Sequence, residues 1–122
     1  MLLVKTSLKE SPIHGFGLFA AEPIKKDTLI WEFNSMFDKK VYGGILDMLP
    51  LVVKDFIKTY GYLESSGFWV LCSDDARYMN HSDNPTCEDR NQRDYAAKDI
   101  EIGEELTCNY YVFDRSADQR SI

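Results

Sequence analysis

Two short polar stretches contain the residues of this chain best suited to chemistry. Asn80, His81 and Ser82 follow one another, and such residues form helices and strands poorly but bind backbone or a ligand well from a tight turn. The second stretch predicts a strand over residues 106–111, entered from a turn at 101–104. That strand would place the phenol of Tyr110 beside the ligand that the first stretch binds.

A third stretch near the start has two glycines, Gly15 and Gly17, on either side of Phe16. Glycine lets the backbone adopt positive φ and approach a ligand closely. The same spacing also occurs in an ordinary β-turn or bulge, so this segment alone leaves both interpretations open.

Taken together, the three stretches resemble the ordered signature of the SET-domain protein-lysine methyltransferases. The matching segments are Ser11-Pro12-Ile13-His14-Gly15-Phe16-Gly17, Arg77-Tyr78-Met79-Asn80-His81-Ser82 and Gly103-Glu104-Glu105-Leu106-Thr107-Cys108-Asn109-Tyr110. Each alone is a weak signal, but three in the family's order are strong. The resemblance implies transfer of methyl groups from S-adenosyl-L-methionine to the side-chain amine of a lysine in a protein substrate.

The resemblance also implies roles for individual residues. Tyr110 would be catalytic, its hydroxyl orienting the amine and the methyl group; an ordinary phenol, with a pKa of about 10, is a poor general base. Asn80 would contact the cofactor through its side chain, and His81 chiefly through its backbone. The other cofactor-binding residues would be His14, Gly15, Phe16 and Gly17, through their backbone groups.

Cys108 and Tyr111 are expected to line the substrate channel. Cys108 stands where family members often have a larger aromatic residue, which suggests room for an already methylated amine and addition of more than one methyl group. No cysteine follows it, whereas many members close the channel with a cysteine-rich segment. Either Tyr111, Phe113 and their neighbours close the channel, or a second copy does so in a homodimer.

Strand-like runs dominate the remaining chain. Short strands are predicted at 2–6, 18–21, 28–33 and 68–71, with a turn at 9–12 and with the strands at 18–21 and 28–33 paired to each other. A helical insert is predicted over about 44–60, and a tail from about 113 to 122. The pattern predicts a mostly β fold in one domain of 122 residues. The resemblance adds a SET fold of small curved sheets with a carboxy-terminal pseudoknot, which would bring Asn80 and His81 beside Tyr110.

The composition limits which classes of molecule this chain is expected to bind. A net charge of −6 argues against direct nucleic-acid binding and suits a basic or flexible peptide segment, although simple solubility also explains it. We expect no membrane segment, no secretory signal and no metal. Cys72, Cys87 and Cys108 are widely spaced, which favours reduced thiols over a zinc site with His81. These features indicate an intracellular protein, cytoplasmic by default, with the nucleus left open.

Three alternatives remain at this stage. The chain could be a SET-fold binding module without catalysis, a methyltransferase for a small amine, or an unrelated mostly β interaction domain. A hydrolase using Glu104 and Glu105 is disfavoured, because adjacent strand residues point to opposite faces.

Overall fold

The computed structural model describes residues 1–120, in which short strands predominate over short helices. The strands are β1 (Thr6–Glu10), β2 (Phe16–Ala20), β3 (Leu29–Glu32), β4 (Lys39–Tyr42), β5 (Tyr62–Leu63), β6 (Phe68–Leu71), β7 (Asn80–His81), β8 (Cys87–Arg90), β9 (Arg93–Ala96) and β10 (Glu105–Cys108). The helices are α1 (Gly43–Leu46), α2 (Leu51–Tyr60) and α3 (Tyr110–Phe113), with single 3₁₀ turns at Asp75–Tyr78 and Ala117–Gln119. The predicted mostly β fold with a short helical insert is confirmed.

The strands form three small sheets. Their orders are β1-β2-β10-β7, β3-β9-β8 and β4-β6-β5. In the first sheet β10 runs antiparallel to β2 and parallel to β7, so it joins segments that lie far apart in the chain. This central position of β10 brings the predicted motifs together.

Apolar side chains on the inner faces of the first two sheets form the main core. Leu18 of β2 and Leu106 of β10 are cross-strand partners, and both are fully buried. Burying a leucine stabilises the fold by about 1.5–3 kcal/mol, so this pair anchors β10 against β2. Trp31 of β3, which belongs to the second sheet, packs into this core.

The helical insert forms close to where the sequence predicts it. Pro50 precedes α2 as its N-cap residue, and Gly61 follows it as the C-cap. A Cβ atom on Gly61 would lie 2.7 Å from the Ile57 carbonyl oxygen, which explains why glycine occupies the C-cap position of α2. Ile57 packs against Leu46 and Trp69 in a second, smaller core.

Several local predictions are wrong. The first strand is β1 rather than residues 2–6, and the predicted turn at residues 9–12 begins too early, because Lys9 and Glu10 pair with Gly17 and Phe16. The expected pairing of β2 with β3 does not occur: β1 and β10 flank β2, while β3 pairs with β9. Strand β4 was not predicted.

The segments carrying the motifs also differ from prediction. Asn80 and His81 form a short strand rather than a turn, because Asn80 pairs with Thr107 and His81 with Cys108. The last strand ends at Cys108 rather than at residue 111. The Asn109 side chain accepts a hydrogen bond from the Tyr111 backbone N–H at 3.0 Å, and this N-cap starts α3.

No helix within the described part of the chain is long and apolar enough to cross a membrane.

Candidate active site

The Asn80 side chain ties the amino-terminal glycine segment to the carboxy-terminal strand. Its Nδ2 donates to the carbonyl oxygens of His14 at 3.0 Å and Phe16 at 3.1 Å, and also lies 3.0 Å from Glu105 Oε2. Glu105 in turn accepts from the Ser11 hydroxyl at 2.8 and 2.9 Å. The three motifs of the sequence therefore meet at one buried amide.

The two glycines of this segment are needed for different reasons. Gly15 has a φ of +47°, and open space surrounds the position that its Cβ would take. Gly17 lacks positive φ, but a Cβ there would lie 2.5 Å from Glu105 Oε2 and 2.9 Å from the Ser11 Cβ. The expectation that both glycines adopt positive φ is thus wrong for Gly17, which makes room for the Glu105 carboxylate.

The surroundings of this segment fit a ligand bound through backbone groups. His14, Gly15 and Phe16 are exposed, and nothing lies within 4 Å of a Cβ at Gly15. The His14 and Phe16 carbonyl oxygens each keep a second lone pair beyond the bond from Asn80. S-adenosyl-L-methionine, with its charged amino-acid end, matches such an open segment with free acceptors beside a buried amide.

The His81 side chain makes contacts that the sequence did not predict. Its Nδ1 accepts a hydrogen bond from the Tyr110 backbone N–H at 3.1 Å, and Nε2 lies 3.0 Å from Asp83 Oδ1. Because Nδ1 is an acceptor, Nε2 carries the proton and donates to Asp83. The ring also contacts Tyr110 and Tyr111, with centroids at 5.4 and 5.5 Å. His81 thereby fixes the start of α3.

Tyr110 is held at both its backbone and its hydroxyl. The hydroxyl donates to the Met79 carbonyl oxygen at 2.6 Å, one residue before Asn80. Burial, followed by the neighbouring Cys108, raises the pKa of Tyr110 above its ordinary value of about 10. The phenol is therefore a protonated hydrogen-bonding group at physiological pH, and it orients its neighbours rather than accepting a proton.

A cleft of about 300 Å³ opens beside Tyr110. Aromatic and apolar side chains contribute much of its wall: Trp31, Tyr60, Tyr62, Cys72, Met79, Cys108, Tyr111 and Phe113. Cys108 is buried in this wall and Tyr111 lies more than half exposed at the rim. Both predicted channel residues therefore line the same cleft as Tyr110, whereas His14 to Gly17 and Asn80 lie outside its lining.

The segment after α3 packs over the cleft. Arg120 Nε pairs with the buried Asp114 carboxylate at 2.7 Å, and Arg120 Nη1 donates to the Thr59 carbonyl oxygen at 3.0 Å. Its guanidinium lies 5.2 Å from the Tyr110 ring centroid. Together with Tyr111 and Phe113, this segment supplies part of the cleft wall within one chain. Sequence reasoning missed the Asp114–Arg120 pair, because a short polar tail has no periodic pattern to mark it.

Arg77 has a structural contact. Its guanidinium donates to the Cys72 carbonyl oxygen at 3.0 and 2.7 Å and stacks over Phe56. This contact holds the 3₁₀ turn that leads into Asn80.

The three cysteines are free thiols buried in the core. Burial raises the pKa of Cys72 and of Cys87 to about 12, and it raises the pKa of Cys108 as well. All three are therefore neutral at physiological pH. Within residues 1–120, no group of three or more His, Cys, Asp or Glu side chains is placed to hold a metal ion.

Known proteins resemble this chain along most of its length. It is 34% identical over 123 residues to the histone-lysine N-methyltransferase mes-2 of Caenorhabditis elegans, covering 90% of this chain. An active polycomb repressive complex 2 in its basal state contains a chain with a TM-score of 0.66 and 28% identity, covering 88% of this chain and 15% of that one. The autoinhibited ctPRC2 bound to S-adenosylmethionine has a TM-score of 0.67, covers 95% of this chain and 16% of that one, and at 23% identity shows the fold alone.

This chain spans 15% of the length of mes-2, so the resemblance concerns one part of that larger protein. A family model described as the SET domain matches residues 15–111, which include all nine predicted site residues except His14. The chain belongs to the SET domain family.

Proposed function

We propose that this chain is an S-adenosyl-L-methionine-dependent protein-lysine N-methyltransferase that works as a single domain. The observation that carries the proposal is the placement of the Tyr110 hydroxyl. It is fixed on the Met79 carbonyl beside Asn80, and Tyr110 lines a cleft to which several other aromatic side chains contribute.

The cofactor would be held by backbone groups of His14, Gly15, Phe16 and Gly17, by the Asn80 amide and by the backbone of His81. When bound, S-adenosyl-L-methionine supplies an activated methyl group to a nucleophile. The chain's own contribution is alignment, which is worth up to about 7–11 kcal/mol when reacting groups are held in a near-attack geometry.

Tyr110 would orient the incoming lysine amine. Its hydroxyl oxygen can accept a hydrogen bond from the amine while its own O–H continues to donate to the Met79 carbonyl oxygen. The aromatic side chains of the cleft would bury the aliphatic stem of the lysine and partly desolvate its amine, which favours the neutral amine over the ammonium. Cys108 leaves space in this wall, which supports addition of more than one methyl group.

The substrate would be a lysine in a basic or flexible segment of another protein inside the cell. The net charge of −6 supports a basic partner, and the three free thiols support a reducing compartment. The relative mes-2 is a histone-lysine N-methyltransferase, so a histone tail peptide is a reasonable first substrate to test.

The decisive experiment is methyl transfer to lysine-containing peptides, followed by mass spectrometry and compared with Tyr110→Phe. We expect transfer by the wild type, loss of transfer by Tyr110→Phe, and nearly full transfer by Tyr111→Phe, which removes a hydroxyl from the exposed neighbour. Calorimetry with the cofactor separates the alternatives. Absence of cofactor binding indicates a binding module, and methylation of free lysine but of no peptide indicates a small-amine enzyme. Activity that falls on dilution indicates a homodimer.

A further inference from the structure

The cleft beside Tyr110 contains two acidic residues that the proposed mechanism does not use. Asp94 on β9 and Asp89 on β8 are cross-strand partners, and both line the cleft. Asp89 accepts a hydrogen bond from the Gln92 backbone N–H at 2.8 Å. Within residues 1–120, Asp94 has neither a hydrogen-bond donor nor an ion-pair partner. An unpaired carboxylate beside a second carboxylate and several aromatic side chains requires an explanation.

The proposed reaction needs a proton acceptor in this cleft. A lysine arrives as an ammonium with a pKa of about 10.4, and its nitrogen has no lone pair until a proton leaves. Tyr110 and the Cys72 and Cys108 thiols remain protonated, because their pKa values are raised. Glu64, at the rim, pairs with Lys40 at 3.1 Å. Asp114 pairs with Arg120, and Asp89 accepts the hydrogen bond from Gln92, so Asp94 is the carboxylate of the cleft lining that has no bonded partner among the described residues.

We propose that Asp94 accepts the proton lost by the substrate ammonium, through a water in the cleft, whose volume of about 300 Å³ has room for one. The inference rests on the proposed function. One N–H bond of the ammonium breaks and its electron pair stays on nitrogen as the lone pair. The water takes this proton and gives one of its own to the Asp94 carboxylate, which becomes a carboxylic acid and later releases the proton to solvent.

The charges around Asp94 suit this role. Burial first, and then the Asp89 carboxylate on β8, raise the pKa of Asp94 to about 7, while the amino-terminal ammonium of Met1 lowers it. Tyr62 on β5 is neutral near pH 7, because burial raises its pKa. An acceptor with a pKa near the working pH is the most effective one.

The arginines that line the cleft are already engaged elsewhere. Arg77 donates to the Cys72 carbonyl oxygen, Arg115 to the Ser65 carbonyl oxygen at 3.3 Å, and Arg120 pairs with Asp114. These contacts leave Asp94 free to interact with an incoming cation.

The test is the pH dependence of methyl transfer to a lysine peptide by wild type, Asp94→Asn and Asp89→Asn. We expect the wild-type rate to rise through about pH 7 to a plateau, because the ionised Asp94 is the active form. Asp94→Asn should be about 10²-fold slower at pH 7, and its rate should keep rising towards the amine pKa of about 10.4.

Asp89→Asn is the matched control on the neighbouring strand. Removing its charge should keep the plateau but move the rise in rate to lower pH, because one cause of the raised Asp94 pKa is gone. A purely structural role for Asp94 would not produce this shift.

The Asp94→Glu variant and thermal melting curves test whether a loss of activity comes from misfolding. The Glu variant restores a carboxylate and should regain the rise in rate near neutral pH. Transfer by the wild type with an unchanged profile in Asp94→Asn refutes this inference alone. Absence of transfer by the wild type to any lysine peptide refutes the proposed function, and this inference with it.

Discussion

Replacing Asp94 by asparagine should change how the stability of the protein depends on pH. The Asp94 carboxyl has an ordinary pKa of about 3.9 in the unfolded chain, and burial beside Asp89 raises its pKa to about 7 in the folded protein. Between these values the unfolded state releases the proton while the folded state keeps it. Asp94 therefore favours folding fully at pH values below 4, and this contribution is lost as the pH rises to about 7.

The size of the effect follows from the difference between the two pKa values. Three pH units correspond to at most about 4 kcal/mol at 1.36 kcal/mol per unit, and partial solvent access reduces this figure. Asparagine cannot ionise, so the variant lacks this loss. Relative to the wild type, we expect Asp94→Asn to gain stability progressively from pH 4 to pH 7.5 and to stay constant above it.

Urea denaturation of both proteins at a series of pH values measures this difference without any substrate. Every other titrating group is common to both proteins, so the difference between their unfolding free energies isolates Asp94. Any effect of the asparagine amide on packing adds a constant offset that does not vary with pH. A difference that stays flat from pH 4 to pH 8 would show that the Asp94 pKa is ordinary, and it would remove the electrostatic support for its role.

Further predictions concern the contacts around the site. Asn80→Ala should destabilise the protein by about 2–3 kcal/mol and abolish cofactor binding, because two backbone carbonyls lose their donor; denaturation and calorimetry measure both effects. Gly17→Ala should cost about 1–3 kcal/mol through overpacking against Glu105, whereas Gly15→Ala should cost about 1–2 kcal/mol from backbone strain and remain foldable. Arg120→Ala should cost about 2–3 kcal/mol in urea denaturation, and equal stability of variant and wild type would show that the Asp114 pair is unimportant.

The sequence predicted which residues meet better than it predicted how the chain brings them together. The helix after Pro50 and the strand at 68–71 could be predicted, because their periodicity and flanking residues are local properties. The partners of β2 could not be predicted, because strand pairing depends on which distant segment buries the same face. Leu106 takes that place opposite Leu18.

The site residues show the same difference between what local sequence predicts and what only long-range contacts determine. Tyr110 and Asn80 were identified from motifs, and the structure brings the Tyr110 hydroxyl to the residue before Asn80. The link between Glu105 and Gly17 was invisible, since a close approach between residues so distant in sequence has no local signal. The Asp89–Asp94 pair was hidden for a related reason. Polar residues near a hairpin tip are ordinarily solvated, and only the tertiary fold turns these two into the cleft.

The placement of β10 between β2 and β7 has a consequence for biosynthesis. When a ribosome makes this chain, β1 and β2 can form a hairpin early, but the edge of β2 that receives β10 stays unpaired until β10 has been synthesised. An open strand edge is a template for pairing with other chains. The nascent protein should therefore depend on rapid pairing of this edge with β10, and translational pausing between β7 and β10 should promote its aggregation.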